Sequence, residues 1–136
     1  MSNLVAVILA AGKGTRMKSR LPKVLHKVGG RPMVEHVLEA AEAAGAERKI
    51  VVVGFGSEQV EEFLAARAEI VLQQEQLGTG HAVLQTEAKL QGTSGTMLIL
   101  CGDTPLLDGQ ELHKFYEAHQ ASGAAASVLT ARADNP

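Results

Sequence analysis

Short, nearly unbroken apolar runs alternate along the chain with segments whose apolar residues recur every three or four positions. The runs at 4–9 and 49–53 are rich in Val, Ile and Leu, as strands covered on both faces are. Between them, Met33, Val34, Val37, Leu38 and Ala41 form one stripe of a helix expected over 33–44. Pro32 opens that helix, Glu35, Glu39 and Glu42 face water, and Gly45 stands where a left-handed cap is expected. Residues 54–56 turn the chain, and Ser57 is placed to cap a helix running to about residue 66. A strand at 69–72, a helix over 79–89, a loop at 91–95 and a strand at 96–101 follow. A turn at 102–105, a helix over 110–120 and a strand near 125–130 complete the pattern. Strand and helix alternating in this way predict a mainly parallel sheet. The expected fold is a doubly wound, Rossmann-like three-layer α/β/α sandwich with five parallel strands, without internal repeat or linker.

Composition narrows the picture. A chain of 136 residues, 46% hydrophobic and 21% charged, suits one ordered domain with one core. A formal net charge of -2 gives no basic footprint for nucleic acid or acidic membranes. No apolar run approaches the roughly 20 residues needed to span a bilayer. The first run lacks a basic segment before it and passes directly into Lys13, Arg16, Lys18 and Arg20, which argues against a secretory leader and for a cytoplasmic protein. The single cysteine, Cys101, excludes an internal disulfide and a Cys-based zinc cluster. His26, His36, His81, His113 and His119 show no metal-ligand spacing, and neither Ser57 nor Cys101 has a visible base partner for nucleophilic work. The final Asp134-Asn135-Pro136 reads as the start of a turn, so the chain is expected to be a piece of a longer one.

Ligands of open α/β sheets sit beyond the carboxyl ends of the strands, and three unusual loops fall there. The first, LAAGKGTRM at 9–17, lacks the third glycine of a dinucleotide fingerprint and the Ser or Thr that follows the lysine of a Walker loop. Its small residues and glycines still suit an anion-binding nest, and Lys13, Arg16 and Lys23 add positive charge. A solvated surface loop would have the same composition. The second, QQEQLGTGHA at 73–82, sets Gly78-Thr79-Gly80 at a helix N-terminus, with Gln73, Gln74 and Gln76 able to pair with the edge of a base or sugar. A polar helix cap would look alike. The third, LCGDTPL at 100–106, puts Asp103 at the tip of a buried strand, where a hard oxygen ligand suits Mg²⁺. Capping of the next helix, or an Asx-turn, is the other reading of Asp103.

Taken together, LAAGKGTRM, LPK at 21–23, EQLGTGHA at 75–82 and GDTPL at 102–106 resemble the sugar-nucleotidyltransferases. Within them the likeness is to the uridylyltransferase domain of the bacterial bifunctional UDP-N-acetylglucosamine pyrophosphorylase/glucosamine-1-phosphate N-acetyltransferase family, over essentially the whole chain. The resemblance implies the reaction of UTP with N-acetylglucosamine 1-phosphate to give UDP-N-acetylglucosamine and pyrophosphate, for cell-wall precursor synthesis. It implies that Leu9, Ala10, Ala11 and Gly12 hold the nucleotide, that Arg16 meets the triphosphate and that Lys23 meets the phosphates at the reacting centre. By the same likeness Gln73, Gly78 and Thr79 read uracil, Cys101 and Gly102 belong to the substrate wall, and Asp103 holds Mg²⁺. Cys101 stands where the family often has Tyr. The family's remaining sugar contacts, its second metal ligand and a trimerising β-helix acetyltransferase domain would lie beyond Pro136.

That reaction needs no side-chain nucleophile, since in-line attack at the α-phosphorus is served by positioning and charge neutralisation. Two other readings remain at this point: a different sugar- or polyol-nucleotidyltransferase, and a non-catalytic nucleotide-binding module on the same fold.

Overall fold

A computed structural model of the chain describes residues 3–12, 20–54 and 57–134. Strand β1 (Leu4–Ala10) is followed by a 3₁₀ turn (Lys23–Leu25) and a small antiparallel ribbon of β2 (Lys27–Val28) and β3 (Arg31–Pro32). Helix α1 (Met33–Ala43), strand β4 (Arg48–Gly54), helix α2 (Glu58–Leu64) and strand β5 (Glu69–Gln73) come next. Helices α3 (Thr79–Leu84) and α4 (Glu87–Leu90), strand β6 (Thr96–Cys101) and helix α5 (Gly109–Ser122) complete the order.

The main sheet runs β5-β4-β1-β6 and every pairing in it is parallel. The chain steps outward from β1 to β4 to β5, then returns to the other side of β1 for β6. The direction of winding therefore reverses between β1 and β6, which is where sheets of this kind open a crevice at their carboxyl edge.

Both faces of the central strands are covered, as their unbroken apolar runs require. Ala6, Ile8, Val51 and Val53 pack with Val34, Val37, Leu38 and Ala41 of α1, Val60 and Leu64 of α2 and Leu112 of α5. On the opposite face, Val7, Val52 and Ala11 pack with Ala82 of α3, and Leu90 of α4 lies against them. The architecture is the expected three-layer one.

Several local expectations are corrected. Residues 125–130 form no strand: Val128 and Leu129 are exposed, and their neighbours Ala125, Ala126 and Ser127 offer little apolar area to hold a fifth strand against β6. Four strands, not five, make the main sheet among the described residues. The β6 edge is left with Met97 and Ile99 substantially exposed. The helix expected over 79–89 is two short ones, because Thr86 is buried and its hydroxyl donates to the Val83 carbonyl at 2.7 Å, competing with the helical ladder. Ser57 precedes α2, but its side chain makes no capping hydrogen bond, and that helix ends at Leu64.

The acidic stripe of α1 is not simply solvated. Glu39 pairs with Arg31, Glu42 with Lys49, and Glu35 with Arg67 at 3.0 Å. The β2–β3 ribbon had a legible signal that the sequence reading passed over. Gly29 and Gly30 both have positive φ, 61° and 83°, the two-residue hairpin turn that Gly-Gly favours.

Candidate functional site

A cleft of about 360 Å³ lies at the carboxyl edge of the sheet, within the size range of small-molecule sites. The end of β1 forms its floor, with Leu9, Ala10, Ala11 and Gly12 along it. Lys23 and Val24 come from the 3₁₀ turn, Gln73 from the last position of β5, Gly78 and Thr79 from the start of α3, and Cys101 and Asp103 from the end of β6. Residues as far apart in sequence as Leu9 and Asp103 are thus neighbours, because β1 and β6 run in register with Leu9 opposite Cys101.

One end of the cleft is charged. The Lys23 ammonium donates to Asp103 Oδ2 at 2.8 Å, with both side chains partly open to solvent. Lys23 is aimed by its own turn. Val24 and Leu25 are buried, Leu25 N–H donates to the Pro22 carbonyl at 3.0 Å, and His26 N–H closes the turn on the Lys23 carbonyl at 3.0 Å.

Gly102 lies beneath this end rather than on its wall. Its N–H donates to the Leu9 carbonyl at 2.9 Å, and a Cβ there would stand 3.1 Å from both that oxygen and Val24 Cγ1. A side chain would push the β6 end away from β1. Thr104 Oγ1 donates to the Cys101 carbonyl at 2.7 Å and tightens the same turn. The alternative role for Asp103 as a helix cap is taken by Asp108, whose carboxylate accepts from the N–H groups of Gln110 and Glu111 at 2.7 and 3.3 Å.

The other end is neutral. Gln73 is 2% exposed, and its side-chain nitrogen donates to the Gly78 carbonyl at 3.3 Å. The same nitrogen lies 2.8 Å from His81 Nδ1. Gly78 has φ of 104°, a conformation that only glycine adopts easily, and its carbonyl also receives the Ala82 N–H at 3.1 Å. Gln76 Nε2 donates to the Ala11 carbonyl, so the loop after β5 is tied to the loop after β1.

The structure therefore brings together eleven of the residues singled out from sequence: Leu9, Ala10, Ala11, Gly12, Lys23, Gln73, Gln76, Gly78, Thr79, Cys101 and Asp103. Arg16, like Lys13, lies outside the described residues. Val24 and Ala82 also line the cleft and were not among the named site residues. Val24 and Ala82 carry only a core-like apolar signal. Gln76 was visible as one of three glutamines, with nothing in the spacing to tell which would dock. No helix among the described residues is long and apolar enough to cross a membrane.

Comparison with known proteins decides the family. The model of the MobA-like NTP transferase domain matches residues 6–136. The chain belongs to that family. It is 53% identical over 134 residues to the bifunctional protein GlmU of Pelotomaculum thermopropionicum, covering 98% of this chain and 29% of that protein. It is 56% identical over 138 residues to the protein of the same name from Pelobacter propionicus, covering 100% of this chain and 30% of that one. The chain thus spans under a third of the length of these curated relatives. Among solved structures, Rv0371c from Mycobacterium tuberculosis superposes with a TM-score of 0.76 at 20% identity, covering 88% of this chain and 62% of that one, a likeness of fold.

Proposed function

We propose that this NTP transferase chain is the N-terminal part of a uridylyltransferase domain that makes UDP-N-acetylglucosamine and pyrophosphate from UTP and N-acetylglucosamine 1-phosphate. The observation that carries the reading is the convergence of three separate loops on one cleft where the sheet reverses its winding, with a charged end and a neutral end. The identity of about half its residues to proteins named bifunctional GlmU supports the choice of substrates. Under this reading the whole protein is cytoplasmic, serves cell-wall precursor synthesis, and continues into the β-helix acetyltransferase domain through which it trimerises.

The backbone of residues 9–12 lies along the nucleotide, and Gln73 with Gly78 and Thr79 meets the base. Lys23, on its rigid turn, meets the phosphates at the reacting centre, and Arg16 meets the triphosphate. A phosphate oxygen of the sugar phosphate bonds to the α-phosphorus as the bond to the β-phosphate breaks, and pyrophosphate leaves. These residues orient both substrates for that in-line path and neutralise charge along it. Cys101 belongs to the substrate wall, and Gly102 beneath it permits the close approach of β6 to β1.

The donor set fits magnesium. Among the described residues no group of three or more His, Cys, Asp and Glu could hold a metal ion. Asp103 offers a single hard carboxylate at the cleft mouth, which suits a cation completed by phosphate and water. Bound at Asp103, Mg²⁺ would neutralise the phosphate oxygens and polarise the α-phosphorus.

Calorimetric titration of the chain with UDP-N-acetylglucosamine and with dTDP-glucose, each with and without Mg²⁺, tests the reading. Uridine-selective binding strengthened by Mg²⁺ is expected. Preference for dTDP-glucose would move the chain to another nucleotidyltransferase, and binding indifferent to Mg²⁺ would favour a non-catalytic nucleotide module.

A further inference from the structure

We infer that His81 is a positioning residue that fixes which way the Gln73 side-chain amide faces, and so which class of base the neutral end accepts. The inference rests on the nucleotide-binding reading above and assigns a role to a residue outside the base-reading set.

The Gly78 carbonyl can only accept, so the part of the Gln73 amide turned toward it, at 3.3 Å, is the nitrogen. That nitrogen also lies 2.8 Å from His81 Nδ1. Nδ1 must then accept, which places the imidazole proton on Nε2. A second amide nitrogen faces the ring: Gln85 Nε2 donates to the His81 carbonyl at 3.0 Å and lies 3.2 Å from His81 Nε2. Since a neutral imidazole accepts at one nitrogen only, the shorter Gln73 contact assigns the acceptor to Nδ1. With both its N–H bonds engaged, Gln73 has one group left, Oε1. Gln73 lines the cleft, and Oε1 is the polar group it can present there.

A fixed acceptor selects a donor. The imide N3–H of uracil or thymine satisfies it, whereas the N3 lone pair of cytosine faces it oxygen to nitrogen with no proton between. A site built to receive a hydrogen bond rejects the analogue that lacks it, because its own polar group is left unpaired. The Gly78 contact alone, at 3.3 Å, is a weak hold on an amide that turns over by rotation about one bond. His81 supplies the shorter contact. The opposite tautomer, with the proton on Nδ1, would turn the amide round and present a donor to the base.

The test titrates the 136-residue chain with UTP and with CTP in Mg²⁺, as wild type, His81→Leu and His81→Asn. The wild type should prefer UTP, and His81→Leu should reduce the UTP-to-CTP preference about tenfold, the loss of one orienting hydrogen bond. His81→Asn, whose Oδ1 can replace the Nδ1 acceptor, should restore it. Equal weakening of both nucleotides in His81→Leu, with the ratio kept, would overturn the role of His81 and leave the nucleotide reading standing. A wild-type preference for CTP would overturn the orientation of the amide. Binding of neither nucleotide by the folded wild type would remove the nucleotide reading itself, and this inference with it. Nitrogen NMR of the wild-type His81 ring gives an answer that needs no variant: a proton on Nε2 is expected, and one on Nδ1 overturns the proposal.

Discussion

The two ends of the cleft are built from opposite materials. At the β1–β6 end, Lys23 and Asp103 face each other as full charges with 41% and 37% of their side chains exposed. At the β5–α3 end, Gln73 is almost wholly buried among neutral partners, each within hydrogen-bonding distance. A half-exposed ion pair contributes little to stability, about 0–1 kcal/mol, and its members are free to exchange partners. A buried amide is costly to leave unpaired and so holds one geometry. The difference separates tasks: the charged end suits groups that rearrange when phosphates and a cation arrive, and the neutral end suits recognition of a fixed shape.

The largest effect should come from breaking the neutral end. Gln73→Ala removes the donor to Gly78 and His81 and leaves a small void, which should lower stability by roughly 1–3 kcal/mol. Uridine-nucleotide affinity should fall at least tenfold, about 1.4 kcal/mol or more. Urea unfolding and calorimetric titration on the same preparation check both. Loss of stability with binding intact would make this end a structural staple only.

The charged end should respond the other way round. Asp103→Ala should leave the unfolding midpoint close to wild type, since an exposed pair is worth at most about 1 kcal/mol. It should abolish the part of UTP binding that depends on Mg²⁺, and chelation of Mg²⁺ from the wild type should reproduce that loss. A fall in stability matching that of Gln73→Ala would erase the distinction between the two ends. Persistence of the Mg²⁺-dependent increment in the variant would place the cation elsewhere.

The sequence showed these two ends unequally. Asp103 could be placed at the cleft because it follows an apolar strand and Gly102 at the carboxyl edge of the sheet, and Asp108 accounts for the helix cap that was its other reading. Strand β6 was legible to the residue because an apolar run is bounded by Gly95 and Gly102. The Lys23–Asp103 pair spans 80 positions and depends on the β1–β6 register, which no local pattern encodes. At the neutral end, Gln73 was found through a motif, whereas its partnership with His81 depends on where α3 starts. The division of the 79–89 helix was hidden because Thr86 looks compatible with a helix until its burial turns the hydroxyl back on Val83. Residues 125–130 misled for the converse reason: a short run ending in Val128, Leu129 and Thr130 suits a strand, but it lacks the apolar bulk to hold a place at the sheet edge.

A remote titrating group sharpens the comparison by separating stability from binding. His113 on α5 donates through Nδ1 to the Ala44 carbonyl at the end of α1, 2.9 Å away, and pairs with Glu117 at 2.7 Å. The bond to Ala44 foremost, and then the Glu117 carboxylate, raise the His113 pKa above the usual 6.5. A raised folded-state pKa means the folded chain binds that proton more tightly than the unfolded one. The resulting stabilisation is complete below the unfolded value and is lost as pH rises through the folded value. His113→Gln should therefore lose melting temperature relative to wild type at pH 5.5, and the gap should narrow by pH 8.5. The effect should be the smallest of the series, because the His113 side chain is 45% exposed and its interactions are screened by water. UTP affinity of the two proteins should stay equal at both pH values, since His113 does not line the cleft. A variant-dependent change in binding would show that the α1–α5 packing reaches the site through β1, and the two ends could then no longer be treated as local.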